Sequence, residues 1–259
     1  MKKALLTLSA LALCLSAGAA MAKDYKVLRF GVDPSYAPFE SKAADGSLVG
    51  FDIDLGNAIC KELKVQCKWV ENDFDGMIPG LNAGKFDGVI SSMTVTDARA
   101  KAIDFSNELF SGPTALVFKK GAAYSTPESL KGKTVGYEQG TIQEAYAKAV
   151  LDKAGVTTKA YANQDQVYAD LTSGRLDASI QDMLQAELGF LKSPQGADYE
   201  VSKPVNDPLL PAKTAVGIKK GNKDLQALLN KGIEALHKDG TYDTIQKKHF
   251  ADLNLYSGK

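Results

Sequence analysis

Apolar positions along the chain alternate between two periods. The segments "VLRFGV" (residues 27–32) and "VQCKWVE" (65–71) have the short, apolar or alternating form of strands. "IDLGNAICKEL" (53–63) instead places Leu55, Ile59 and Leu63 on one helical face. The pattern predicts a strand at 27–32, a loop "DPSYAPFESKAADGSL" (33–48), a helix over 52–63 and a strand over 65–71. A short helix at 74–84 and a strand "DGVISS" (87–92) follow. Strands alternating with helices predict an α/β fold of mainly parallel sheets covered on both faces. Sites in such folds gather at strand C-termini. The amphipathic run at 223–250 predicts C-terminal helices with His237 and His249 at surface positions.

The chain also matches itself. "LNAGKFDGVISSM" (81–93) aligns without gaps on "LTSGRLDASIQDM" (171–183), and "FGVDPS" (30–35) aligns on "VGYEQG" (135–140). Two matches in the same order predict two lobes of one design, with equivalent strand ends facing a common cleft. Ser91 and Ser92 then stand across from Gln181 and Asp182, and Asp33 across from Glu138.

The N-terminus has a basic start, the apolar run "ALLTLSALALCLSAGAA" and a small-x-small site, so residues 1–22 read as a cleavable secretory signal. Cleavage leaves Cys60 and Cys67, an even pair at a helix end and in the next strand. A disulfide there would close a small loop and contribute about 2.5 kcal/mol by chain entropy; two free thiols are the alternative. The pair lacks further ligands nearby for a metal. Basic and acidic residues balance at 31 each before cleavage, and removing Lys2 and Lys3 leaves a net charge near −2. That balance gives no footing for a nucleic acid.

Candidate chemistry concentrates in "VISSMTVTDARAKAIDFS" (89–106), where an apolar strand breaks into hydroxyl residues. Thr96 or Asp97 can cap a helix, and Arg99 supplies a planar fork that matches a carboxylate. Ser92 and Thr94 add donors. A plainly capped helix with a solvated arginine is the alternative. Asp182, at the equivalent strand end, can receive an ammonium group, so that Arg99 and Asp182 together hold both charges of an α-amino acid. Counting Asp33, Glu138 and Asp182 against Arg99 gives a cleft of charge −2, which favours a cationic ligand tail if Glu138 faces inward rather than toward water. No nucleophile–base pair or metal motif accompanies Glu138, so neither catalysis nor a cofactor is expected.

The motifs "DPSYAPFE", "GFDIDLG", "DFDGMIPGL", "DGVISSMTVTDAR", "GRLDASIQD" and "DGTYDTIQKKHF" resemble the periplasmic substrate-binding proteins of polar amino acid ABC transporters. The resemblance covers the mature chain and is nearest to the lysine/arginine/ornithine- and histidine-binding proteins. It implies a two-lobed type II binding-protein fold with two hinge crossings. The first lobe would comprise residues 23–110 and 214–259, and the second 111–213. It further implies a periplasmic monomer that closes on a small ligand and delivers it to a membrane permease. Arg99 and the backbone at Thr94 would take the ligand carboxylate, and Asp182 and Ser92 its amino group. Tyr36 and Phe74 would pack on the stem, while Asp33 and Ser91 meet a cationic tip. Thr141, Ile142 and Gln143 would complete the site from the second lobe, and Cys60 and Cys67 match the paired cysteines of these proteins. Glu138 stands where they carry an apolar residue, and Ile142 where they carry a polar one.

Overall fold

The computed structural model describes residues 25–256 and Gly258; the secretory signal expected at 1–22 lies outside the described residues. The chain opens with β1 (Val27–Val32) and a small antiparallel sheet of β2 (Ser35–Tyr36), β3 (Glu40–Lys42) and β4 (Leu48–Val49). Then come α1 (Phe51–Glu62), β5 (Gln66–Glu71), α2 (Met77–Asn82), β6 (Gly88–Val89), α3 (Asp97–Ala102) and β7 (Ile103–Ser111). The second half adds β8 (Thr114–Lys119), β9 (Thr134–Glu138), α4 (Ile142–Tyr146), β10 (Thr157–Tyr161), α5 (Gln164–Thr172), β11 (Ala178–Asp182), α6 (Met183–Gln185) and β12 (Tyr199–Val201). Finally the chain returns through β13 (Lys213–Lys219) and ends in α7 (Lys223–Lys238) and α8 (Thr241–Phe250).

Two five-stranded sheets share one layout, β5-β1-β6-β13-β7 and β10-β9-β11-β8-β12. Each sheet has two parallel pairings followed by two antiparallel ones, so the sheets are mainly parallel as expected, with one reversed strand in each, β13 in the first and β8 in the second. The reason is local: β13 and β8 enter straight from the other sheet instead of through a crossover helix, which leaves them free to run the other way. Each sheet is covered on both faces. In the first, α1, α7 and α8 bury Leu55, Ile59, Leu229, Ile233 and Phe250 against one face, while Met77, Leu81 and Phe86 cover the other. Leu225, Leu229, Ile233 and Leu236 recur along α7 with the spacing of one helical stripe. The second sheet is likewise clad by clusters around Tyr146 and Leu151 and around Tyr168 and Phe190.

The internal matches are structural equivalences. Phe30 and Gly31 pair in parallel with Gly88 and Val89, and their counterparts Val135 and Gly136 pair with Ala178 and Ser179. Asp87 accepts the Arg29 N–H at 3.0 Å and donates its own N–H to the Arg29 carbonyl at 2.8 Å. Asp177 repeats the pair of bonds on Thr134 at 2.8 and 2.9 Å. The paired glycines are explained by the residue just before each of these aspartates. A Cβ on Gly31 would meet the Phe86 ring at 2.8 Å, and one on Gly136 would meet Leu176 at 2.4 Å.

Three local expectations need correction. The loop over 33–48 contains the small sheet, because Gly46 at φ +83° turns the chain back to pair β4 with β3. The strand over 87–92 pairs only at Gly88–Val89, since the chain turns at Ser92, whose φ is +50°. His237 and His249 are half-buried rather than superficial: His237 stacks 3.9 Å from Tyr256, and His249 lies 2.7 Å from Asp54. The cysteines are joined as Cys60–Cys67, which ties the end of α1 to β5.

The two crossings between the sheets run side by side. Gly112 N–H donates to the Ala212 carbonyl at 3.1 Å, and Lys213 pairs with Ser111. Gly31→Ala tests the packing of the repeat: it should lower the unfolding free energy by about 1–3 kcal/mol in urea, because the buried Phe86 ring has nowhere to move. A change below about 0.5 kcal/mol, the range of ordinary surface substitutions, would show that the ring is not packed as described.

Candidate functional site

Between the sheets lies a cavity of about 540 Å³ including its opening to solvent, a size suited to a small molecule. All twelve residues singled out from the sequence line it: Asp33, Tyr36, Phe74, Ser91, Ser92, Thr94, Arg99, Glu138, Thr141, Ile142, Gln143 and Asp182.

One corner is cationic. The Thr96 hydroxyl accepts the Arg99 N–H at 3.1 Å and so starts α3. From the first turn of that helix the Arg99 guanidinium donates to the Thr94 carbonyl at 2.7 Å and, across the cleft, to the Gly140 carbonyl at 2.9 Å. It sits 5.3 Å from the centre of the Phe74 ring. Burial lowers its pKa to about 10, which leaves it charged at neutral pH. Both of these partners are neutral carbonyls, so the fork retains donors for an anion.

The opposite corner is acidic. Asp182 ends β11 and accepts the Gln185 N–H at 2.9 Å, while its own N–H donates to the Tyr36 hydroxyl at 3.3 Å. Burial raises the Asp182 pKa to about 6. Gly112 of the first crossing passes so close that a Cβ there would stand 2.5 Å from Asp182 Oδ2. Farther along the cavity, Asp33 accepts the Ser35 hydroxyl at 2.7 Å and the Phe74 N–H at 3.0 Å. Glu138 turns into the cavity and is buried; burial and then the charge of Asp33 push its pKa well above the usual carboxylate range. The Thr141 hydroxyl donates to the Glu138 carbonyl at 2.7 Å and caps α4, and Gln143 Nε2 donates to the Thr114 hydroxyl at 3.0 Å.

Beneath the Ser91–Ser92 turn lie two acids that sequence reasoning missed. Glu40 and Asp52 are both buried, and Glu40 also lines the cavity. Asp52 accepts the Ser92 N–H at 2.6 Å and holds that residue in its left-handed conformation. Ser91 Oγ donates to Glu40 at 3.0 Å and accepts the Asp33 N–H at 2.9 Å. Ser92 Oγ is within 3.3 Å of Glu40 and 3.4 Å of Asp52. Burial raises both acids, Asp52 to about 7 and Glu40 well above its ordinary value, with the charge of Asp52 adding to the latter. Ser91 Oγ is thus tied on both sides, to the Asp33 N–H and to Glu40, while Ser92 Oγ lies within reach of both acids.

Phe110, Gly112, Thr114, Ala212 and Thr214 also line the cavity and were missed. They come from the crossings, and the "SGP" break between two apolar runs at 111–113 was the available signal.

Comparison with known proteins agrees with this geometry. Residues 28–252 match the family model "Bacterial extracellular solute-binding proteins, family 3". The chain is 46% identical over 259 residues to the lysine/arginine/ornithine-binding periplasmic protein of Escherichia coli K12, covering 99% of each. It is 42% identical over 261 residues to the histidine-binding periplasmic protein of the same strain, covering all of both. An ancestral arginine-binding protein solved with arginine superposes with a TM-score of 0.81 at 40% identity, over 87% of this chain and 98% of that one. Among the described residues no helix is long and apolar enough to cross a membrane. With its sheets, its cleft and its sequence all pointing the same way, the chain belongs to the bacterial extracellular solute-binding proteins, family 3.

Proposed function

We propose that this protein captures a basic L-amino acid of the arginine, lysine and ornithine class by lobe closure and hands it to an ABC transporter permease. The observation that carries the reading is the charge of the cavity: among the described residues that line it, Arg99 alone opposes Asp33, Glu40, Glu138 and Asp182. Arg99 and the Thr94 backbone hold the ligand carboxylate, and Asp182 with the Ser92 oxygen holds its ammonium group. Tyr36 and Phe74 flank the stem. Asp33, Ser91 and Glu138 receive the cationic tip, with Thr141, Ile142 and Gln143 closing over it. Arginine ranks first because its wide fork can reach Asp33 and Glu138 in opposite lobes at once. The names of the related proteins support the same ligand class. A second reading, histidine, rests on the histidine-binding relative.

In this reading residues 23–110 and 214–259 form one lobe and 111–213 the other, including the hinge segments. The mature protein works as a periplasmic monomer after removal of residues 1–22. We read it as a binding protein rather than an enzyme, in keeping with its family and with relatives named as binding proteins. Its charge balance gives a nucleic acid no purchase.

Titration calorimetry of the mature protein should give one arginine per chain, and Arg99→Ala should weaken it by on the order of 2–5 kcal/mol by leaving the carboxylate unpaired. Retention of affinity within tenfold would remove Arg99 from the site. Glu138→Gln should weaken arginine and lysine by at least about tenfold while changing glutamine little; equal losses for all three would sink the assignment of the cationic tip.

The raised carboxyls predict a proton linkage. Free protein holds extra protons at Asp182, near pH 6, and at Glu138 above its ordinary range. A bound cation favours their ionised forms and lowers both pKa values. Arginine binding should therefore release protons, and its affinity should rise between pH 5 and pH 7 as Asp182 of the free protein loses its proton unaided. Calorimetry at pH 6 in buffers of different ionisation enthalpy measures the release directly. Zero net protons with a flat affinity profile would contradict it.

A further inference from the structure

The lobes also meet outside the ligand cavity. The helical turn Ala186–Phe190 of the second lobe lies against the loop that leads to β3 in the first, and its neighbours Leu184 and Leu188 pack into the aromatic cluster around Phe39 and Phe250. Gly189 stands at the point of contact. A Cβ there would lie 2.2 Å from the Ala37 carbonyl oxygen and 3.1 Å from its carbon. Both are backbone atoms, so no side-chain rotation makes room.

Nothing within its own lobe requires glycine at this position. Its backbone is not in the left-handed region, and alanine is the better helix former. Gly140, on the other side of the cleft, also meets the opposite lobe, at 2.7 Å from Asp75 Cα. Its φ of +75° would demand glycine in any case. The approach of the Ala37 carbonyl is thus the constraint that singles out Gly189.

We infer that Gly189 is a positioning residue for closure: the absence of a side chain there lets the lobes come together far enough for Arg99 to reach Gly140 and Tyr36 to reach Asp182. This rests on the reading above that ligand is held in the closed form. A methyl group at 189 acts as a wedge at the seam. It raises the free energy of the closed state alone, and it does so without touching the ligand or the cavity lining. Every ligand must then lose affinity by the same factor, because each binds through the same depleted closed population.

The test is Gly189→Ala in the mature protein, titrated with L-arginine and with L-lysine. Overpacking against backbone predicts weakening on the order of tenfold or more, equal for the two ligands and expressed as faster release. The ligand-free melting temperature should be no lower than that of the parent, since alanine suits the helical turn. Small-angle scattering at saturating arginine should show a larger radius than the parent. Affinity within twofold of the parent, or a lowered ligand-free melting temperature, would overturn the inference. If the parent prefers some other amino acid, the ligand-class reading falls, and the ratio of variant to parent for that amino acid decides the seam on its own.

Discussion

Burial of like charge governs the architecture of the cleft. Asp33, Glu40, Glu138 and Asp182 line it, with Asp52 buried behind them and Arg99 at the other corner, and desolvated carboxylates that lack a cation hold protons or repel one another. The structure manages this excess in two ways. The deepest pair, Glu40 and Asp52, is given over to hydrogen bonds with the Ser91–Ser92 turn. The acids on the cavity wall are left in tension, with Glu138 facing Asp33 across the gap between lobes. A ligand that brings two cationic groups and one carboxylate relieves that tension at each corner.

The scaffold explains why such a tense arrangement holds its shape. Each sheet carries the same aspartate clamp and the same glycine opposite a bulky side chain, so each lobe is internally rigid. The strained Ser92 backbone survives because Asp52 holds its N–H in place. The two crossings run alongside each other, joined by the Gly112 N–H to Ala212 carbonyl hydrogen bond and by the pairing of Ser111 with Lys213.

Much of this was legible in the sequence because it repeats. The matches at 81–93 and 171–183 carry helix stop, clamp and strand together, so strand ends could be set opposite one another and Arg99, Asp182 and Glu138 brought to one cleft. Glu40 and Asp52 were not legible for the opposite reason. Neither belongs to a repeat, and each sits where an acid has an ordinary explanation: Glu40 in a proline-rich loop, Asp52 in the first turn of α1, where negative charge suits the helix dipole. Their role appears only when α1 and β3 pack beneath β6. Phe110, Gly112 and Thr214 escaped similarly, since they reach the cavity from chain crossings about a hundred residues apart. The one reversed strand in each sheet could not be read either, as its direction depends on where the chain arrives from.

The position of β13 has a consequence for how the molecule comes into being. That strand lies inside the first sheet, between β6 and β7, although it is separated from β7 by the whole second sheet. A chain emerging N-terminus first therefore cannot finish its first lobe until nearly all of it is available. The second lobe is contiguous and suffers no such delay. Until Lys213–Lys219 arrives, β6 and β7 expose unpaired edges and the apolar faces that α7 later covers. Assembly of the first lobe is thus timed by the last fifth of the sequence.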